Sequence, residues 1–247
     1  MSEISFCHLL RNNPIFARVF WADCLAQAGE VSLWVAFPLF VYEQTGEVAH
    51  AGAAMAGEIL AVGLLSPLAG SLADRGAPER QLRACALARQ AVLVALLWVG
   101  SHQGSLAQFL GLSLLLGVAG AFFTPARAAF TRRLLEGAEL TAAVAAAGTA
   151  AFLIRMFVPA LMGVLLAFIS PGHALVCDLL AYGIVLIILA PAWVRPGPGL
   201  QGLQGPDWRL GWQRVLGSTE LRSLAVMDFM LTFLSMAGFA TMLALLE

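Results

Sequence analysis

The chain has 247 residues, 60% of them apolar and 12% charged, with a formal net charge of -1. Soluble domains run near ~45–50% apolar and ~25% charged, so a chain this greasy calls for a bilayer as its solvent. The balanced charge argues against a nucleic-acid partner, which is usually met by a basic patch or stripe.

Residues 1–13 are polar and lack the basic stretch, apolar stretch and cleavage site of a signal peptide. A helix needs ~20 apolar residues to cross the hydrocarbon. Seven runs reach that length: 14–42, 49–70, 81–101, 105–126, 142–169, 173–194 and 222–246. They predict an all-α membrane protein. An N-terminal six-helix transmembrane bundle occupies 1–194, a linker 195–221, and a seventh transmembrane helix 222–247. The linker opens with a run of prolines and glycines up to Pro206, which breaks helix and gives a flexible tether. Beyond it, Asp207 can cap a short helix with Trp208 and Trp212, lying at the membrane surface or extending the seventh span.

All fourteen basic residues are arginines, and those between spans alternate in position. Arg75, Arg80 and Arg83 follow the second run, Arg127, Arg132 and Arg133 the fourth, and Arg195, Arg209 and Arg214 the sixth. The intervening connections have none, and Arg11 precedes the first run. Positive residues mark the cytoplasmic side, which puts the N-terminus in the cytoplasm and the protein in the plasma membrane.

Charges inside spans cost on the order of 2.5–3.5 kcal/mol each at mid-bilayer, so each wants a reason. Asp23 and Glu30 lie seven residues apart on one face of the first span. Glu58 is in the second, Arg89 in the third, Arg155 in the fifth, Asp178 in the sixth and Asp228 in the seventh. By depth, Glu30, Glu58 and Arg155 fall at one level. The expectation is that Arg155 pairs with Glu30 or Glu58 across a polar cavity, leaving the other carboxylate to take up protons. A static pair that fixes helix packing is the competing reading. For Asp23, Arg89, Asp178 and Asp228, structural pairing or snorkelling competes with a role in coupling. Glycines at 52, 57, 63, 111, 117 and 120 mark faces where helices can approach closely. Pro159 removes the N–H that would bond the Arg155 carbonyl, which predicts a bend there.

Chemistry other than transport finds little support. Cys7, Cys24, Cys85 and Cys177 lack metal-ligand spacing, and no metal or other cofactor is expected. No HExxH motif, phosphate loop or Ser/His/Asp constellation is present, and Asp178 and Asp228 lack a Gly-x-Gly-Asp or Tyr-Asp context. The chain does not read as an enzyme.

Six spans, a central linker and a seventh span resemble the N-terminal half and the start of the C-terminal half of a major facilitator superfamily transporter. Leu9-Leu10-Arg11-Asn12-Asn13-Pro14 followed by Gly29-Glu30 resembles the drug–proton antiporter branch that includes macrolide and enterobactin exporters. Gly70, Asp74 and Arg75, with Arg80 beyond them, resemble the superfamily's loop between helices two and three. Phe123-Thr124-Pro125-Ala126 resembles its helix-four exit, and Asp178 the branch's acid in helix six. Val158-Pro159-Ala160-Leu161-Met162-Gly163 departs from the antiporter signature, which has glycine before proline and a glycine pair after it. The resemblance implies proton-coupled efflux of a hydrophobic drug or siderophore-like molecule by alternating access. It implies a latch at Gly70, Asp74, Arg75 and Arg80, a helix-five bend at Pro159 and Gly163, and a proton or substrate cavity among Glu30, Glu58, Arg155, Asp23 and Asp178. The implied partners are the lipid bilayer, protons, a small-molecule substrate, and a missing C-terminal half in cis or in trans. A truncated, non-transporting remnant or an incomplete record is the alternative.

Overall fold

The computed structural model describes residues 6–75, 77–102, 104–190, 217–220, 222–223, 226–227 and 230. Among them the elements are α1 (Phe6–Asn12), α2 (Pro14–Thr45), α3 (Val48–Arg75), α4 (Pro78–Ser101), α5 (Leu106–Leu134), α6 (Gly137–Leu165) and α7 (Pro171–Ile188). The helices α2 to α7 are each long and apolar enough to cross a membrane, as the first six apolar runs predict.

Local chemistry sets the helix starts and stops. Proline, whose missing N–H costs nothing in a first turn, opens α2, α4 and α7. The Asn13 side chain caps α2 by accepting from the Phe16 N–H at 3.0 Å. At the far end Gly46 takes φ 71, a left-handed conformation that glycine adopts without penalty, and its N–H closes on the Tyr42 carbonyl at 2.8 Å. The Gln108 side chain accepts from the Ser105 N–H at 2.8 Å at the start of α5.

Several expected boundaries move. The polar stretch 70–83 is mostly helix: Gly70, Asp74 and Arg75 belong to α3, Arg80 and Arg83 to α4, and two residues connect them. The stretch 127–141 shrinks likewise to Leu135 and Glu136, so Arg127, Arg132 and Arg133 are helical. Apolar runs report only the hydrocarbon, whereas helices continue past it with arginines reaching into the headgroups. The fifth span ends at Leu165, short of 169, in a series of turns. Helices continue through Pro38, Pro125 and Pro159, so Pro159 and Gly163 lie within an uninterrupted α6. The short α1 has no counterpart in the apolar pattern.

Most of the extensive packing, α4 on α5 apart, joins helices that are not neighbours in the chain. The most extensive contact is α3 on α5, followed by α4 on α5 and α2 on α7, then α2 on α6 and α4 on α7. Exchange α2–α4 for α5–α7 and these pairs map onto one another. Two three-helix repeats of opposite topology have this pattern. The exception is α2 on α3, which has no match of that extent between α5 and α6.

Of three apolar clusters among the described residues, two flank the in-span charges. One gathers Leu33, Phe37, Leu93, Leu96, Phe109 and Leu175. The other gathers Ala26, Ala86, Ala126, Phe130, Tyr182 and Val185. Along α2, α4 and α7 the chain passes from one cluster to the other through Glu30, Arg89 and Asp178 respectively. The charges therefore form a layer between two greasy ones.

The chain divides into two compact units, Met1–Leu203 and Gln204–Glu247. Within the second, the Arg222 N–H donates to the Ser218 carbonyl at 3.0 Å. The expected linker at 195–221, apart from residues 217–220, lies outside the described residues. So does the seventh span at 222–246, Asp228 included, apart from a few positions up to 230.

Candidate functional site

Arg89 and Asp178 sit at the centre of the charged layer, only 2% and 1% exposed. An Arg89 nitrogen, Nη2, lies 3.6 Å from Asp178 Oδ2, an ion pair between α4 and α7. The guanidinium also stands 4.7 Å from the centre of the Tyr182 ring, whose negative face attracts a cation. Neither Arg89 Nε and Nη2 nor the two Asp178 carboxylate oxygens make a hydrogen bond within the described residues. Buried polar groups are nearly always bonded, so this cluster of orphans is a feature to be explained. The adjacent Gln90 fastens the same two helices, donating to the Leu179 carbonyl at 2.9 Å.

Two glycines let the acid-bearing helices approach their neighbours closely. A Cβ at Gly29 would collide with Asp178 Oδ1, so α2 presents bare backbone to that acid. A Cβ at Gly117 would collide with the Glu58 carbonyl, which lets α5 press against α3 beneath Glu58. Glu58 itself is 7% exposed and lies beside the Trp34 indole. Glu30 and Glu58 are both within electrostatic reach of Arg89. Three carboxyl groups, Glu30, Glu58 and Asp178, thus surround one guanidinium.

A second ion pair links α2 to α5. Arg127 Nη1 donates to both oxygens of Asp23, at 2.7 and 2.8 Å, and Gln27 Nε2 donates to Asp23 Oδ2 at 2.9 Å. This pair stands in the wall between two cavities. On one side a cavity of about 90 Å³ is lined by Glu30, Trp34, Thr124 and Arg155 together with Asp23 and Arg127. On the other, a largely apolar cavity of about 470 Å³ is lined by α2, α5 and α6, with Phe16, Phe20, Val144 and Ala147 among its walls.

The expected site residues are partly brought together. Glu30 and Arg155 share the smaller cavity, as their common depth suggests, but form no ion pair within 4.0 Å among the described residues. Glu58 does not line that cavity and faces Trp34 and Arg89 instead. Asp23 and Asp178 are paired, each with an arginine outside the expected set. Arg127 was placed in a connection by its polar neighbourhood. Arg89 was noted as an in-span charge without a partner. Of the expected latch, Gly70, Asp74 and Arg75 are positioned by the backbone of α3, and the side chains of Asp74 and Arg75 lie outside the described residues. No group of three or more His, Cys, Asp or Glu side chains capable of holding a metal occurs among the described residues.

Six spanning helices, an interleaved packing of two helix triplets and a layer of charges between two apolar clusters describe a membrane transporter's bundle. Residues 19–247 match the model of the Major Facilitator Superfamily. The chain belongs to that superfamily. It is an integral membrane protein of a family of secondary transporters. No curated protein and no solved structure matches it.

Proposed function

We propose that this superfamily member couples proton movement to export of a hydrophobic drug or siderophore-like molecule by alternating access. The observation that carries the reading is the charged layer: Glu30, Glu58 and Asp178 lie within electrostatic reach of Arg89, and Arg155 shares a cavity with Glu30. Fully ionised, the three acids would outnumber Arg89 and Arg155 by one negative charge in a low-dielectric layer. Taking up protons relieves that imbalance, and releasing them restores it. Glu30 also lines the cavity that contains Arg155, which gives it access to both solvent and cargo. The cavity of about 470 Å³ across the Asp23–Arg127 pair supplies apolar walls for a greasy compound. Exchange of that pair's partners would join the two cavities during the cycle.

The arginine-rich helix ends support a plasma-membrane protein with a cytoplasmic N-terminus. In this reading Asp74 and Arg75 act with Gly70 and Arg80 as a cytoplasmic latch, and Pro159 with Gly163 lets α6 flex beside Arg155. The test is transport of a lipophilic fluorescent amine by the full chain in vesicles under an imposed pH gradient. Wild type should move the dye with the gradient, and Glu30→Gln should uncouple it. Transport by Glu30→Gln with unchanged dependence on the gradient refutes the coupling role.

A further inference from the structure

A further cavity opens on the outer side of α4 and α5, sharing Cys85 and Ala119 with the walls around Arg89. It is a groove of about 590 Å³ between α4 and α5, with Leu72 of α3 and Ala77 closing one end. It exists because α3 and α4 are joined by two residues yet barely pack together, leaving α5 exposed between them. Its walls are apolar: Leu72 from α3, Cys85 and Val92 from α4, Leu115 and Phe122 from α5. Its one charged wall residue is Arg80, exposed in the first turn of α4.

Arg80 makes no ion pair or side-chain hydrogen bond among the described residues. The neighbouring Gln81 is committed, donating to the Phe122 carbonyl at 3.0 Å and closing the floor beneath it. Glu79 is buried and is not part of the groove wall. The α4 N-terminus opens at the same place with no side-chain cap on Ala77, itself a wall residue, so the positive end of the helix dipole adds to Arg80.

The groove's length fixes what fits. From Arg80 to Val92 is twelve residues, or about 18 Å of helix at ~1.5 Å per residue. Half of a ~30 Å hydrocarbon core is ~15 Å. The groove therefore runs from the end of one leaflet to the middle of the bilayer, with a cation at its headgroup end and only apolar walls beneath. Basic pockets between spanning helices suit anionic headgroups.

We propose that this groove is a binding site for one anionic phospholipid, its phosphate on Arg80 and an acyl chain lying against Cys85, Val92, Leu115 and Phe122. The site shares Arg80 with the latch of the transport reading but uses none of the acids or arginines of the charged layer, and lipid retention is measured without transport, so the two readings fail separately. The lipid would fill the gap between α3 and α4 and brace α5 from outside.

The test is native mass spectrometry of the full chain released from phosphatidylcholine nanodiscs containing phosphatidylglycerol. Wild type should retain one phosphatidylglycerol per chain in preference to phosphatidylcholine. Arg80→Gln, an exposed change, should cut that retention at least tenfold. Ala88→Phe, which fills the groove but leaves the cation, should cut it as much, with helicity by circular dichroism confirming that both variants fold. Arg11→Gln should retain the lipid. Retention unchanged in Arg80→Gln and Ala88→Phe, or lost equally in Arg11→Gln, overturns the site. Dimers without lipid assign the groove to a second copy of the chain and overturn it too.

Discussion

Asp178→Leu tests whether the buried pair at the centre of the bundle is a true energetic unit. The mutation leaves the Arg89 guanidinium, 2% exposed, without its closest counter-ion at 3.6 Å. Breaking one partner of a buried pair costs about 3–5 kcal/mol, because the remaining charge stays desolvated. Glu30 and Glu58 remain within reach of Arg89 and soften the loss, so about 3 kcal/mol is expected. Arg89→Leu should cost more, about 5 kcal/mol, since Asp178 and Glu58 lose their cation, Glu30 keeps only Arg155 nearby, and the contact over Tyr182 goes as well. The double variant Arg89→Leu/Asp178→Leu removes both charges, with a leucine bulkier than the aspartate packed against Gly29. Removing both desolvated ions offsets part of the loss, so it should cost less than Arg89→Leu alone, about 2–4 kcal/mol, because Glu30 and Glu58 still lack Arg89. Unfolding in detergent micelles, followed by circular dichroism, gives all four corners of the cycle. Additive effects, or single variants costing under about 1 kcal/mol, would refute the assignment.

Gly117→Ala should destabilise the bundle by about 1–3 kcal/mol, because the new methyl group meets the Glu58 carbonyl and Ala61 where neither can retreat. The same unfolding assay checks it, and Gly111→Ala, with open space around its Cβ, serves as the silent control. Asn13→Ala removes the acceptor for the Phe16 N–H and should cost about 1 kcal/mol, while Asn13→Ser should recover most of it.

The number and order of the first six spans were legible because each needs one apolar run of fixed length. Their ends were not, since helices carry polar residues beyond the hydrocarbon, as Arg127 and Asp74 do. Asp23 looked like a helix-end acid because its partner Arg127 looked like a loop residue. Correcting one boundary would have exposed the pair. Arg89 and Asp178 were each visible as costly in-span charges, yet nothing local couples α4 to α7. The shared depth of Glu30 and Arg155 did translate into a shared cavity, but depth fixes only one coordinate. Direct pairing also requires facing directions, which depend on how α2 and α6 lean together. For the same reason Glu58, equally deep, turned toward Trp34.

The interleaved packing also has a consequence for biogenesis. Arg89 leaves the ribosome 89 residues ahead of Asp178, counted as 178 minus 89. At ~5–20 residues per second that is a wait of roughly 5–18 s. During it, the third span must be held in or beside the bilayer with its cation unmatched, and the contacts of α2 with α6 and α7 cannot form. Insertion and assembly are therefore separate events for this bundle. The interval between them is when the nascent chain depends most on the insertion machinery, and when quality control can still recognise it as unfinished.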